Sequence, residues 1–108
     1  DLRGALFECL IVSEITKQKN NSGYKDSLYF WRDKTGREID LIVDKTSSFL
    51  PIEIKSGKTV HDEFFKSLRY WLKLTGEKQG MIVYAGNTNQ KRSEGIEVIS
   101  WEKLSVFE

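Results

Sequence analysis

The chain has 108 residues, of which 39 % are apolar, 12 % aromatic and 31 % charged. That is enough for one domain with a modest core, and the balance excludes a disordered or fibrous chain. The formal net charge of +1 neither calls for a nucleic-acid partner nor excludes one, so any basic patch must come from local segregation.

The chain opens on Asp1 rather than Met and runs straight into a helical pattern, which reads as a piece of a longer protein. Leu2 to about Lys19 has helical periodicity. Leu6, Phe7, Cys9, Leu10, Ile11, Val12 and Ile15 cover most of its circumference, so a largely buried helix is expected. Glu8 sits inside that apolar run. A carboxylate there is costly unless it is paired, protonated or bound to a cation, or lies at the domain edge. Cys9 is the single cysteine and reads as core packing, with no disulfide possible. No zinc-site spacing arises from Cys9 and His61. No apolar run is long enough to span a membrane and no secretory signal is visible, which fits a soluble, cytoplasmic setting.

Asn20 to Gly23 tolerates left-handed backbone and ends the helix. Ser27 to Asp33 is an aromatic-rich strand. Asp33-Lys34-Thr35-Gly36 is a turn, and Arg37 to Asp44 returns as a second strand. Lys45 to Ser48 turns again, and Phe49 to Lys55 is the third strand, with Pro51 near its beginning. Thr59 with Asp62 reads as a variant capping box opening a second helix that runs to Thr75, before Gly76. Its buried stripe is Phe64, Phe65, Leu68, Trp71, Leu72 and Thr75, with Lys66, Arg69 and Lys73 on the other side. His61 reads as a surface residue. Gly80 to Gly86 is a continuous apolar run, expected as a covered strand. Asn87 to Gly95 is a polar loop, Ile96 to Ser100 a last alternating strand, and Trp101 to Leu104 a closing turn. The order is helix, three strands, helix, two strands, in one domain over residues 1–108.

Chemistry concentrates in the third strand. In Ile52-Glu53-Ile54-Lys55 the isoleucines point one way, and the acid and the ammonium the other, roughly 7 Å apart. Glu-x-Lys alone is ordinarily a solvated ion pair. If the second and third strands form a hairpin, however, Asp40 and Glu53 come to one place. Two carboxylates with a backbone carbonyl such as that of Ile54 make a hard oxygen site suited to Mg²⁺ or Mn²⁺.

Glu8, then Ile39-Asp40, then Glu53-Ile54-Lys55, in that element order, resembles the PD-(D/E)XK nuclease superfamily. Ile39 stands where the superfamily usually has proline. The phrases Gly4-Ala5-Leu6-Phe7-Glu8, Tyr29-Phe30-Trp31-Arg32-Asp33, Gly36-Arg37-Glu38-Ile39-Asp40-Leu41 and Ile52-Glu53-Ile54-Lys55-Ser56-Gly57 look like the C-terminal domain, of unassigned function, of many bacterial and archaeal AAA-type ATPases. The resemblance implies an α/β restriction-endonuclease-like three-layer core, order αβββαββ, with a mixed central sheet flanked by helices. It also implies an ATPase module before Asp1, although no phosphate-binding loop of the Gly-x-x-x-x-Gly-Lys-Ser/Thr kind occurs here.

Two functional readings follow. In one, Asp40 and Glu53 hold the ion, Glu8 completes its shell directly or through water, and Lys55 stabilises the attacked phosphate of DNA or positions the water. Arg32, Lys58, Lys66 and Arg69 are then candidates for backbone contact. In the other, the domain is a non-catalytic protein- or nucleic-acid-binding module whose acidic cluster is a remnant.

Overall fold

The computed structural model describes residues 1–23, 28–91 and 93–107. Helix α1 spans Leu2–Ser22, and strands β1 Leu28–Arg32, β2 Glu38–Asp44 and β3 Phe49–Lys55 follow. A 3₁₀ turn, Asp62–Phe65, leads into helix α2, Lys66–Thr75. Then come β4 Gly80–Tyr84, the two-residue β5 Gln90–Lys91, and β6 Ile96–Ser100. The sheet order is β1-β2-β3-β4-β6-β5. The pairs β1–β2, β2–β3 and β5–β6 are antiparallel, while β3–β4 and β4–β6 are parallel. Five strands of five or more residues and one short edge strand thus make a mixed α/β sheet. Residues 24–27, where the first strand was expected to begin, lie outside the described residues.

The period-two pattern of the strands builds two cores, one on each face. Leu41 and Val43, Leu50, Ile52 and Ile54, and Met81 and Val83 pack with Ile11 and Ile15 of α1. On the other face Ile42, Ile82, Tyr84, Ile96 and Val98 pack with Phe65, Leu68, Trp71 and Leu72. The sheet is therefore sandwiched between α1 and α2. Every residue of β4 is buried, as its unbroken apolar run requires of a strand covered on both faces.

Turn chemistry explains the hairpins. Asp33 Oδ1 accepts from the N–H groups of Thr35 and Arg37, both at 2.9 Å, and Gly36 takes φ 92°, which only glycine adopts without strain. Gly23 ends α1 in the left-handed conformation at φ 86°. Pro51 is the third residue of an interior strand rather than its beginning. It fits because the ladder to β4 starts one residue later, at Ile52↔Met81, so no partner misses its N–H.

Five expectations are corrected. The first helix is longer than read and much less buried: only Ile11 and Ile15 are fully covered, while Leu2, Leu6 and Leu10 are 73 %, 59 % and 51 % exposed. Cys9 is exposed rather than packed in the core. Only one face of α1 lies on the sheet, and helical spacing does not say how many neighbours a helix has. Thr59 does not cap the second helix; the chain enters it through the 3₁₀ turn at Asp62, with His61 preceding it and no side-chain cap. Thr75 is exposed and spends its hydroxyl on the Trp71 carbonyl. The expected loop before β6 holds the short strand β5 and a 3₁₀ turn at Ser93–Gly95.

Candidate active site

The β2–β3 ladder runs from Asp44↔Phe49 to Leu41↔Ile52. The same register would next set Asp40 opposite Glu53, but there side chains take over from the ladder. The Asp40 N–H donates to Glu53 Oε1 at 3.0 Å, and the Ile54 N–H donates to Asp40 Oδ2 at 2.7 Å. Each carboxylate thus satisfies a backbone donor of the other strand.

A bulge aims Asp40. Between Tyr29↔Ile42 and Trp31↔Ile39, the single residue Phe30 faces two residues of β2, Asp40 and Leu41. The extra residue breaks the alternation, so Ile39 joins Ile42 in the α2-side core while Leu41 stays on the α1 side. Bulges commonly re-aim a side chain in this way. Asp40 consequently lines a depression with Glu8 of α1 and with Phe30, Arg32 and Glu38.

The electrostatics follow from burial. Glu53 is 5 % exposed, and its carboxyl is pushed up to about 7, first by burial and then by the nearby Asp40 charge. Burial also raises Asp40, against the pull of the Ile54 N–H and the Lys55 ammonium. Glu8 is raised by partial burial and by the charges of Asp40 and Glu38. Both strand carboxyls are thus held toward their neutral forms and titrate as one coupled pair. Lys55 lies 3.7 Å from Glu53 Oε2 and over the Phe64 ring at 5.4 Å from its centroid. Its side chain is half-buried, with a face still open to solvent.

Asp40, Glu53, Ile54 and Lys55 are thus together, with Glu8 beside them. Among the described residues no group of three or more His, Cys, Asp or Glu side chains is close enough to hold a metal ion, so Glu8 does not close a direct three-carboxylate shell. The donor set nevertheless fits a hard divalent cation: the buried Glu53 and half-buried Asp40 carboxyls lie side by side, and a dication would offset the charge that their joint ionisation brings. Of the basic residues, Arg32 pairs with Glu38 at 3.3 Å in the same depression, and Lys58 lies beyond the end of β3. Arg69 is on α2, over Phe65 and paired with Glu94 at 3.4 Å. Lys66 is exposed at the start of α2.

Sequence reasoning missed Glu38 and Phe64 as neighbours of the site. Glu38 stands two residues before Asp40 in the same strand, a signal that was available. Phe64 reaches Lys55 through the path of residues 56–61, which no local pattern encodes.

Fold and site define an α/β protein in which two strands separate around a carboxylate pair, Glu53 buried and Asp40 half-buried. The chain belongs to the family described as a domain of unknown function, DUF4143, which it matches over residues 3–104. No curated protein and no solved structure matches it. Among the described residues no helix is long and apolar enough to cross a membrane.

Proposed function

We propose that this domain is a metal-dependent nuclease-like module of the PD-(D/E)XK kind, with a restriction-endonuclease-like core, acting on DNA phosphodiesters. The observation that carries the reading is the reciprocal pairing of Asp40 and Glu53 between separated strands, with the Lys55 ammonium beside it. Asp40, Glu53 and the Ile54 carbonyl would hold Mg²⁺ or Mn²⁺, with Glu8 reaching the ion through water. Such an ion supplies Lewis acidity and offsets phosphate charge when bound. Ionisation of Glu53 prepares the ligand set. Lys55 donates to a phosphate oxygen as negative charge builds there, and the Phe64 ring limits where its ammonium can go. The proposal extends to an AAA-type ATPase module in the same protein, as the likeness of the sequence phrases implies, and to a cytoplasmic setting.

The test is cleavage of several DNA substrates by the whole protein with Mg²⁺ or Mn²⁺. Asp40→Asn and Glu53→Ala should abolish it, and Lys55→Ala should slow it about 10²- to 10³-fold, the usual cost of one lost transition-state donor. Wild-type activity no greater than that of these variants would sink the reading.

One observation favours the other reading, a binding module with a degenerate site. Both carboxylates already satisfy backbone donors, so they also work as a clasp between β2 and β3. Calorimetry separates the two: no Mg²⁺ or Mn²⁺ binding to the wild type leaves the clasp as the whole role of the pair.

A further inference from the structure

The registers bring one end of five strands into line. Arg32 of β1 pairs with Glu38 of β2, Lys55 of β3 with Tyr84 of β4, and Tyr84 with Ser100 of β6. The carboxylate pair is at this end, and a depression opens on either side of it. One, of about 410 Å³, contains Phe30, Arg32, Glu38 and Glu8. The other, of about 370 Å³, contains Lys58, Gly86, Asn87 and Trp101.

Each depression holds an exposed aromatic ring and one basic side chain, beside Glu8, Glu38 and Asp40 in the first and Glu102 in the second. Phe30 is 77 % exposed, next to Arg32; Trp101 is 39 % exposed, next to Lys58. Arg32 meets Glu38 at the surface, with its own side chain 70 % exposed, so its guanidinium still faces solvent. Trp101 is held edge-on by Phe7, with centroids 6.4 Å apart, which fixes the ring as a platform. An exposed ring stacks on an unpaired base whatever its identity, whereas a duplex keeps its base faces stacked inside. From β1 to β6 is four strand spacings, roughly 19 Å, too far for one base to touch both rings.

We infer that single-stranded nucleic acid lies across this end of the sheet. One unpaired base stacks on Phe30 and another on Trp101, while Arg32 and Lys58 take the backbone phosphates between and beside them. The inference rests on the phosphodiesterase reading above and adds the substrate class. Glu8 and Glu38 can accept hydrogen bonds at the Phe30 end, so a base with an exocyclic amino group, cytosine, adenine or guanine, is preferred there over thymine. In the second depression Lys58 stands with Glu102, so no net negative charge there calls for a cationic peptide across both.

The test is fluorescence anisotropy of 5′-labelled oligo-dC, oligo-dT and a hairpin duplex with the whole chain in EDTA, so that binding is read without cleavage. Single strands should bind at least tenfold more tightly than the duplex, with oligo-dC ahead of oligo-dT. Phe30→Ala and Trp101→Ala should each weaken binding roughly 5- to 150-fold, the range for one lost base stack, and Phe30→Tyr should restore it. Phe30 is exposed, so its variants test the idea even if Trp101→Ala disturbs packing on Phe7. Equal binding of duplex, unchanged binding by natively folded Phe30→Ala, or preference for a Lys/Arg-rich peptide overturns the inference. Metal-dependent cleavage that Phe30→Ala and Trp101→Ala leave intact defeats it while sparing the nuclease reading. Ring-dependent binding without any cleavage does the reverse.

Discussion

Glu53 is a carboxyl group held in a place that favours its neutral form. Its ordinary value of 4.5 rises to about 7 in the folded chain, through burial first and the Asp40 charge second. Between those values the folded state binds more protons than the unfolded one. The stability from this group is therefore complete below pH 4.5 and is lost as pH rises through 7. In metal-free buffer, the urea midpoint should fall between pH 5 and pH 8. Glu53→Gln should flatten that slope and gain up to about 3 kcal/mol at pH 8. An unchanged slope in the variant would mean that another group holds the proton. Lys55 partly offsets the repulsion within the pair, so Lys55→Ala should steepen the same slope.

Helix α1 shows how an element can mislead when read alone. Its apolar residues surround the axis, yet the sheet covers only the face carrying Ile11 and Ile15. Ile15→Ala should cost about 2–5 kcal/mol in chemical denaturation, as a cavity in a closed core does. Leu6→Ala, at a site 59 % exposed, should stay within about 0.5 kcal/mol. The entry to β6 is constrained by backbone. Gly95 has φ 78°, and a Cβ there would lie 2.0 Å from the Lys78 carbonyl oxygen. Gly95→Ala should therefore destabilise by more than about 1 kcal/mol, because the conformation and the clash act together. The bulge opposite Phe30 works at the same scale: one extra residue in β2 turns Ile39 to the α2-side core and leaves Asp40 at the mouth of the depression.

Across the whole molecule, the strand ends gather groups that are far apart in sequence. Glu8, Asp40 and Glu53 come from three elements; burial raises all three carboxyls, and the Asp40 charge adds to it at Glu8 and Glu53, as the Glu38 charge does at Glu8 and Asp40. A divalent cation that binds the folded chain converts that repulsion into stability. At a hundredfold excess over Kd the gain is about 2.7 kcal/mol, and each kcal/mol raises the Tm of a chain this size by about 4 °C or more. Mg²⁺ or Mn²⁺ should therefore raise the Tm more at pH 8 than at pH 6, since the proton on Glu53 competes with the ion. Asp40→Asn should remove the shift. A metal shift of equal size in wild type and variant would place the ion elsewhere.

Much of this was decided locally and is written in the chain. The limits of β3 and β6, the turn at Asp33–Gly36 and the covered run of β4 follow from alternation and from turn residues, whose effects reach only a few positions. The hairpin that could bring Asp40 to Glu53 was legible for the same reason. The sheet order, the bulge, the bare side of α1 and the two aromatic depressions were not. They depend on which strands lie beside which, and on how many neighbours each surface acquires. Those are long-range choices made by the core as a whole, and no window of the sequence contains them.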